Sequence, residues 1–210
     1  MKITFLGGGN MANALIGGML KQGFAAADIT VIDPGSAARD KLERTYAVNC
    51  LETGEMLDNI GDLLVLAVKP QQMKDAVTPL VDKLGNAVVV SIAAGLDLAT
   101  LARFLGGHRK IVRCMPNTPA LIGAGITGLC PLPEVSAAER EAADCVLSAV
   151  GSTVWIDNEG RMDGVTALSG SGPAYVFLFI EALQQAAADL GFTPEQGRQL
   201  AIETVQGAAA

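Results

Sequence analysis

Through the first two thirds of the chain, short apolar runs rich in Val and Ile alternate with stretches whose apolar residues recur every three or four positions. Runs that short, bounded by Gly, Pro, Asn and Asp, predict strands, and the wider spacing predicts helices. Regular alternation of the two predicts parallel β-α-β construction. Strands are predicted at residues 2–6, 29–32, 63–68, 87–92 and 111–115, and helices at about 11–22, 36–44, 71–84 and 98–105. In the first helix Leu15, Ile16, Met19 and Leu20 form one apolar stripe, and Gly23 stands where a left-handed cap ends a helix.

From residue 123 the pattern changes to a Gly-rich extended stretch, a helix at about 137–150 and a last strand at 152–156. After Asp157-Asn158-Glu159-Gly160 only helices are predicted. Ser171 is placed to cap a helix opening at Gly172-Pro173 and closing at Gly191. That helix is apolar nearly all round through residues 175–180, which predicts burial on every side. Thr193-Pro194-Glu195-Gln196 reads as a capping box opening a further helix. No stop signal precedes Ala210, so the last helix is expected to be cut in mid-element.

Composition narrows the function classes. The 210 residues suffice to bury roughly 70% of the surface of the unfolded chain without staples. Lys+Arg number 15 against Asp+Glu 22, a net charge of −7 with no basic run, which argues against nucleic acid and anionic membrane as partners. The longest unbroken apolar runs, 63–68 and 175–180, fall short of the ~20 residues a membrane span needs. The apolar start breaks at Gly7 before a secretory core forms, so a cytoplasmic location is expected. Cys50, Cys114, Cys130 and Cys145 include no C-x-x-C pair and the chain has one histidine, His108, so free thiols and no metal site are expected. His108 follows Gly106-Gly107 and reads as a polar turn residue, which weakens hydrolase and metalloenzyme readings.

The first strand runs straight into Gly7-Gly8-Gly9-Asn10-Met11-Ala12, a G-x-G-x-x-A at a strand-to-helix turn. Gly7 permits the tight turn, Gly9 lets a pyrophosphate approach the amides at the helix N-terminus, and Ala12 lets helix and strand pack closely. With a strand before, an amphipathic helix after and Asp33 ending the second strand, the fingerprint has the context of a dinucleotide site. Asp33 in that position ordinarily accepts the adenosine ribose hydroxyls, whereas Ser36, Arg39 and Lys41 could hold a 2′-phosphate or could be a solvated helix face. NADPH and NADH therefore both stay open. The third strand empties into Lys69-Pro70-Gln71, and Ser91-Ile92-Ala93-Ala94-Gly95 and Met115-Pro116-Asn117-Thr118-Pro119 end two more strands on the same rim. Lys69 there is either a cofactor contact or a solvent lysine. The fold class is thus α/β: an N-terminal Rossmann-type doubly wound sheet over residues 1–157, then an all-helical domain begun at 158–210.

These segments together resemble the pyrroline-5-carboxylate reductase family: GGGNMA after the first strand, AVKPQ at 67–71, SIAAG at 91–95, MPNTPALIGAG at 115–125 and ALSGSGPAYVF at 167–177. The resemblance spans nearly the whole chain. It implies reduction of Δ1-pyrroline-5-carboxylate to L-proline with NADPH or NADH, and a helical C-terminal domain that forms a homodimer or larger homo-oligomer. Carried over residue by residue, it places Leu6, Gly7, Gly8, Gly9, Asn10, Met11, Ala67, Val68, Lys69 and Pro70 at the cofactor, with Ser36 beside it. It places Asn117, Ser171 and Gly172 at the substrate, although Ser171 can equally be only the helix cap. It also implies further dimer helices and a Ser-Pro-Gly-Gly-Thr-Thr-like substrate loop, which nothing in residues 1–210 matches. Two other readings stand beside it: a β-hydroxyacid-type dehydrogenase with Lys69 as acid or base, and a dinucleotide-binding module without catalysis.

Overall fold

Four-residue apolar runs set the centre of the molecule. In the computed structural model, which describes residues 1–209, β1 (Ile3–Leu6), β4 (Leu63–Leu66) and β5 (Val88–Ser91) are buried along their whole length. Strands covered on both faces need no alternation of polar and apolar residues, which is why these read as continuous runs. With β2 (Ile29–Ile32), β3 (Asn49–Leu51), β6 (Ile111–Met115), β7 (Gly125–Pro131) and β8 (Gly151–Trp155) they form one eight-stranded sheet in the order β3-β2-β1-β4-β5-β6-β7-β8. Pairing is parallel except between β6 and β7.

Helices α1 (Asn10–Lys21), α2 (Ser36–Tyr46) and α5 (Ala137–Leu147) cover one face, with Leu15, Ile16, Met19, Leu42, Val146 and Leu147 in its core. The short helices α3 (Met73–Val77), α4 (Leu98–Phe104) and α6 (Met162–Val165) cover the other. Gly23 has φ +95° and its amide closes on the Leu20 carbonyl, as the cap reading expects. Two departures have local causes. The helix predicted at 71–84 is a 3-10 turn, α3 and a second 3-10 turn, because Pro79 has no N–H with which to continue an α-helical ladder. Strand β3 escapes the pattern because it is three residues long, at the sheet edge, and begins with an exposed Asn49.

The C-terminal region departs further. Helix α7 (Gly172–Asp189) does not open at Ser171: that residue has helical φ −86° and ψ −18°, and its side chain makes no cap bond. A π turn at Thr166–Gly170 instead joins α6 to α7, so a single 31-residue helix runs from Glu159 to Asp189. An 18-residue stretch of it reaches a mean hydropathy of 1.2, so the helix is long and apolar enough to cross a bilayer by length and composition, which counting only unbroken apolar runs had missed. Nor is it buried on every side. Tyr175, Phe177, Leu178 and Phe179 stand exposed, Leu178 at 67%. Helix α8 (Pro194–Ala209) opens on the predicted capping box, the Thr193 amide donating to Gln196 Oε1 at 3.0 Å, and folds back onto α7 around Ala187, Gly197 and Ala201. Among the described residues, neither sheet-face core takes in any residue beyond Val165.

Candidate functional site

Strand order reverses between β1 and β4, so the loops leaving the carboxyl ends of these strands open a crevice, the place where an α/β sheet binds ligands. Gly7 turns the chain there with φ +102°, and a Cβ on it would lie 2.7 Å from the Ala67 carbonyl oxygen. Glycine is thus required twice, by the backbone angle and by the close approach of the β4 end. Gly9 is different: a Cβ on it would meet no atom within 4 Å. The space beside Gly9 is open, and α1 begins at Asn10 with no side chain capping its first amides. Free N–H groups and the positive end of the helix dipole thus face the crevice.

Asp33 directly follows β2 facing this turn, but its carboxylate points into the loop. Oδ2 accepts the Gly8 amide at 2.7 Å and Oδ1 accepts the Gly35 amide at 2.8 Å. Each oxygen keeps a lone pair, and the first effect of Asp33 is to fix the glycine turn against the start of α2. The three residues after it do not converge. Ser36 lies exposed at the first position of α2, while Arg39 donates from Nη1 to the Asp33 carbonyl at 2.7 Å. Lys41 lines a separate groove of about 890 Å³ between α1, Tyr46 of α2 and the turn Thr118–Ile122. That groove meets the glycine turn only at Asn10, and none of residues 67–70 lines it.

On the other side of the switch point Ala67, Val68, Lys69 and Pro70 follow β4, with Lys69 exposed at the head of a 3-10 turn. Ser91 ends β5 buried, its Oγ facing the Ala93 amide at 3.4 Å. Met115 ends β6, and the π turn of the long helix sits directly on it: a Cβ on Gly170 would lie 2.9 Å from Met115 Cε. The SGSG segment is therefore part of a helix seated on the end of β6, where the sequence suggested a helix start capped by Ser171. Here Ser171 donates its amide five residues back to the Thr166 carbonyl at 2.8 Å, and the Tyr175 hydroxyl donates to the Ala167 carbonyl at 3.1 Å. Asn117 is 8% exposed, with both ends of its amide bonded to backbone. Ser171 and Gly172 are half-buried beside the turn.

Sequence reasoning missed the residues that seat this helix. Glu159 Oε1 accepts the Leu98 amide at 2.7 Å and Arg113 Nη1 at 2.9 Å, while Arg113 Nη2 lies 3.6 Å from Asp163. Arg113 is only 11% exposed, and a buried cation in the middle of a strand demands an acidic partner from elsewhere in the chain. Apolar neighbours at Ile111, Val112 and Cys114 were the one available signal. His108 faces the Ala87 carbonyl at 2.9 Å, consistent with a turn residue.

Two family profiles match: Pyrroline-5-carboxylate reductase dimerisation over residues 159–210, and NADP oxidoreductase coenzyme F420-dependent over residues 2–95. The pyrroline-5-carboxylate reductase of Pseudomonas aeruginosa is 46% identical over 209 residues, covering 99% of this chain and 77% of its own length. A solved pyrroline-5-carboxylate reductase from Coxiella burnetii superposes with TM-score 0.94 at 38% identity, covering 99% of this chain and 78% of that one. The Plasmodium falciparum pyrroline carboxylate reductase, solved with NADP bound, superposes with TM-score 0.86 at 30% identity, covering 100% and 77%.

Proposed function

The chain belongs to the pyrroline-5-carboxylate reductase family, and on that footing we propose that it reduces Δ1-pyrroline-5-carboxylate to L-proline, the last step of proline biosynthesis, using NADPH. The observation that carries this reading is a juxtaposition on one rim. Helix α1 opens at the carboxyl end of β1, and the π turn of the long helix sits on Met115 at the carboxyl end of β6, on the same edge of the sheet.

The residues present fit a dinucleotide. Gly9 leaves room for a pyrophosphate, and the uncapped amides of Asn10 and Met11 can donate to it. Leu6 to Met11 thus hold the phosphates, and Ala67, Val68, Lys69 and Pro70 flank the cofactor beyond the switch point. Ser36, exposed at the first position of α2, is the residue this reading assigns to a 2′-phosphate. When bound, the cofactor supplies the hydride. The protein's task is then orientation, which this reading gives to Ser171 and Gly172 at the substrate. A pyrrolinium ring brings its own proton on nitrogen, so the reaction needs no strong side-chain acid, in keeping with a chain whose one histidine lies in a turn.

Residues 1–157 form the dinucleotide-binding domain in this reading, and the region from 158 onward pairs with a second copy of the chain. The exposed apolar residues of α7 fall inside the segment matched by the dimerisation profile, so we assign them to that copy rather than to a lipid bilayer. The working location is the cytoplasm. The test is direct: the full-length protein, given NADPH and pyrroline-5-carboxylate, should oxidise the cofactor and accumulate proline stoichiometrically. Turnover of a small hydroxyacid or oxoacid without proline formation would overturn the assignment.

A further inference from the structure

We infer that Asn117 is a positioning residue for this reaction: it clamps the π turn of the long helix to the cofactor rim and thereby sets Ser171 and Gly172 against the substrate. This deepens the reductase reading above and rests on it.

Two prolines, Pro116 and Pro173, stand beside the two bonds of Asn117. β6 pairs with β7 up to Met115 opposite Gly128, and continuing that register puts Asn117 opposite Ile126. Past Pro116 the chain turns out of the sheet: the Asn117 carbonyl accepts the Ala120 amide at 3.1 Å rather than the Ile126 amide, so the backbone ladder stops. The Asn117 side chain continues it, with Oδ1 accepting the Ile126 amide at 2.9 Å. The second proline is Pro173. In an α-helix the Ser169 carbonyl would accept the amide of residue 173, and proline has none. Asn117 Nδ2 fills that position, donating to the Ser169 carbonyl at 3.1 Å.

One carboxamide thus fills two backbone vacancies, one in the sheet where the Asn117 carbonyl has turned away and one in the helix where Pro173 has no N–H. Its orientation is fixed by its partners, since an amide donor faces Oδ1 and a carbonyl faces Nδ2. Asn117 is nearly buried, and the oxygen and the amino group each already serve a backbone partner. Its influence on the substrate therefore passes through the turn it holds. π turns interrupt helices where a site needs a particular side-chain direction, and this one carries Ser171 at its end.

Three measurements on the full-length protein test this. Without substrate, Asn117→Ala should raise hydrogen exchange at the Ser171 amide at least tenfold while β4 and β5 amides stay unchanged. In steady state its kcat should fall at least tenfold with NADPH affinity within twofold of wild type. Asn117→Asp keeps the acceptor for Ile126 but turns a carboxylate oxygen toward the Ser169 carbonyl; its protonated form restores a donor. Its kcat relative to wild type should therefore climb as pH falls, and that of Asn117→Ala should not. Lost turnover with unchanged exchange would mean that Asn117 touches the substrate itself and overturns the proposal. So would faster exchange with full turnover, or a flat pH ratio for Asn117→Asp. Should Asn117→Ala fail to fold, the isosteric Asp variant carries all three readouts. Failure of the wild type to make proline would refute the reductase reading instead, and the exchange arm needs no substrate.

Discussion

The sheet half and the α7–α8 hairpin are equally apolar to the eye, yet they dispose of their apolar residues in opposite ways. In the sheet half Ile, Leu and Val from the six strands β1, β2, β4, β5, β6 and β7 vanish between two helical layers, and both face cores close within the chain. In the hairpin only Ala187, Gly197 and Ala201 are buried, all small, while the large side chains of α7 point outward. Small residues let two helices approach closely and large ones reach across to something else. The first arrangement is self-sufficient. The second leaves an apolar face for a partner, and it lies within the segment matched by the dimerisation profile over residues 159–210.

The sharpest way to break that comparison is to charge the hairpin. Phe177 and Leu178 are 60% and 67% exposed, so Phe177→Glu with Leu178→Lys removes little packing from the lone fold. The pair should leave NADPH affinity within threefold. It should also reduce the dimer to a monomer at micromolar concentration and lower proline formation at least 100-fold, because the π turn belongs to the same helix. Light scattering and steady-state kinetics read both effects. A dimer that survives would remove the functional contrast between the two halves.

The glycine turn sharpens the other side of the comparison. Gly7→Ala forces φ +102° on an L residue and drives its Cβ to 2.7 Å from a backbone oxygen, so thermal or urea unfolding should show a loss of about 2–4 kcal/mol. Gly9→Val meets open space at φ −69°, ψ −172°, where a β-branched residue is comfortable. It should leave stability within about 0.5 kcal/mol, as surface changes do. NADPH binding should nonetheless weaken at least tenfold, about 1.4 kcal/mol. Equal effects on folding and binding at the two glycines would erase the distinction between structural and ligand-facing positions.

These two glycines also mark what the sequence makes legible. A strand, a Gly-x-Gly turn and an amphipathic helix are local facts, and their periodicity reports the burial that follows. The π turn is not local. Ser169-Gly170-Ser171-Gly172-Pro173 has the residues of a loop or cap, and it stays helical because Asn117, far away in sequence, supplies the bond that Pro173 withholds. Likewise residues 175–180 announce burial without saying by what, so burial within the chain was the natural expectation and the lone chain contradicts it. Asp33 was legible as a residue near the cofactor, but not as the acceptor that fixes Gly8 and Gly35.

The junction between the halves offers a smaller effect. Arg113→Met strips Glu159 of its cation but leaves it the Leu98 amide, and Glu159 is 30% exposed, so solvent compensates in part. Unfolding should lose about 1–2 kcal/mol. A larger loss of proline formation than of NADPH affinity is expected, because the clamp fixes the helix that carries the π turn. Equal losses would place Arg113 in the sheet's stability alone.

Smallest of all is the cap of α4, which lies wholly in the sheet half. Asp97 Oδ1 accepts the Thr100 amide at 2.7 Å, and that bond, first among its causes, holds the carboxyl below its usual range. A depressed folded pKa means stabilisation that is complete above the unfolded value of about 3.9 and is lost as pH falls through the lower folded value. Asp97 is almost fully solvated, so the cap should contribute at the low end for such residues, about 0.5–1 kcal/mol. Asp97→Ala should thus unfold at a lower temperature than wild type at pH 7, and the gap should narrow once the pH drops below about 4. Neither dimerisation nor NADPH affinity should change, since α4 lies on the sheet face away from the α1 turn. A gap that persists unchanged at pH 2.5 would show that the carboxylate is not what stabilises the helix start, leaving the backbone preference of residue 97 as the cause.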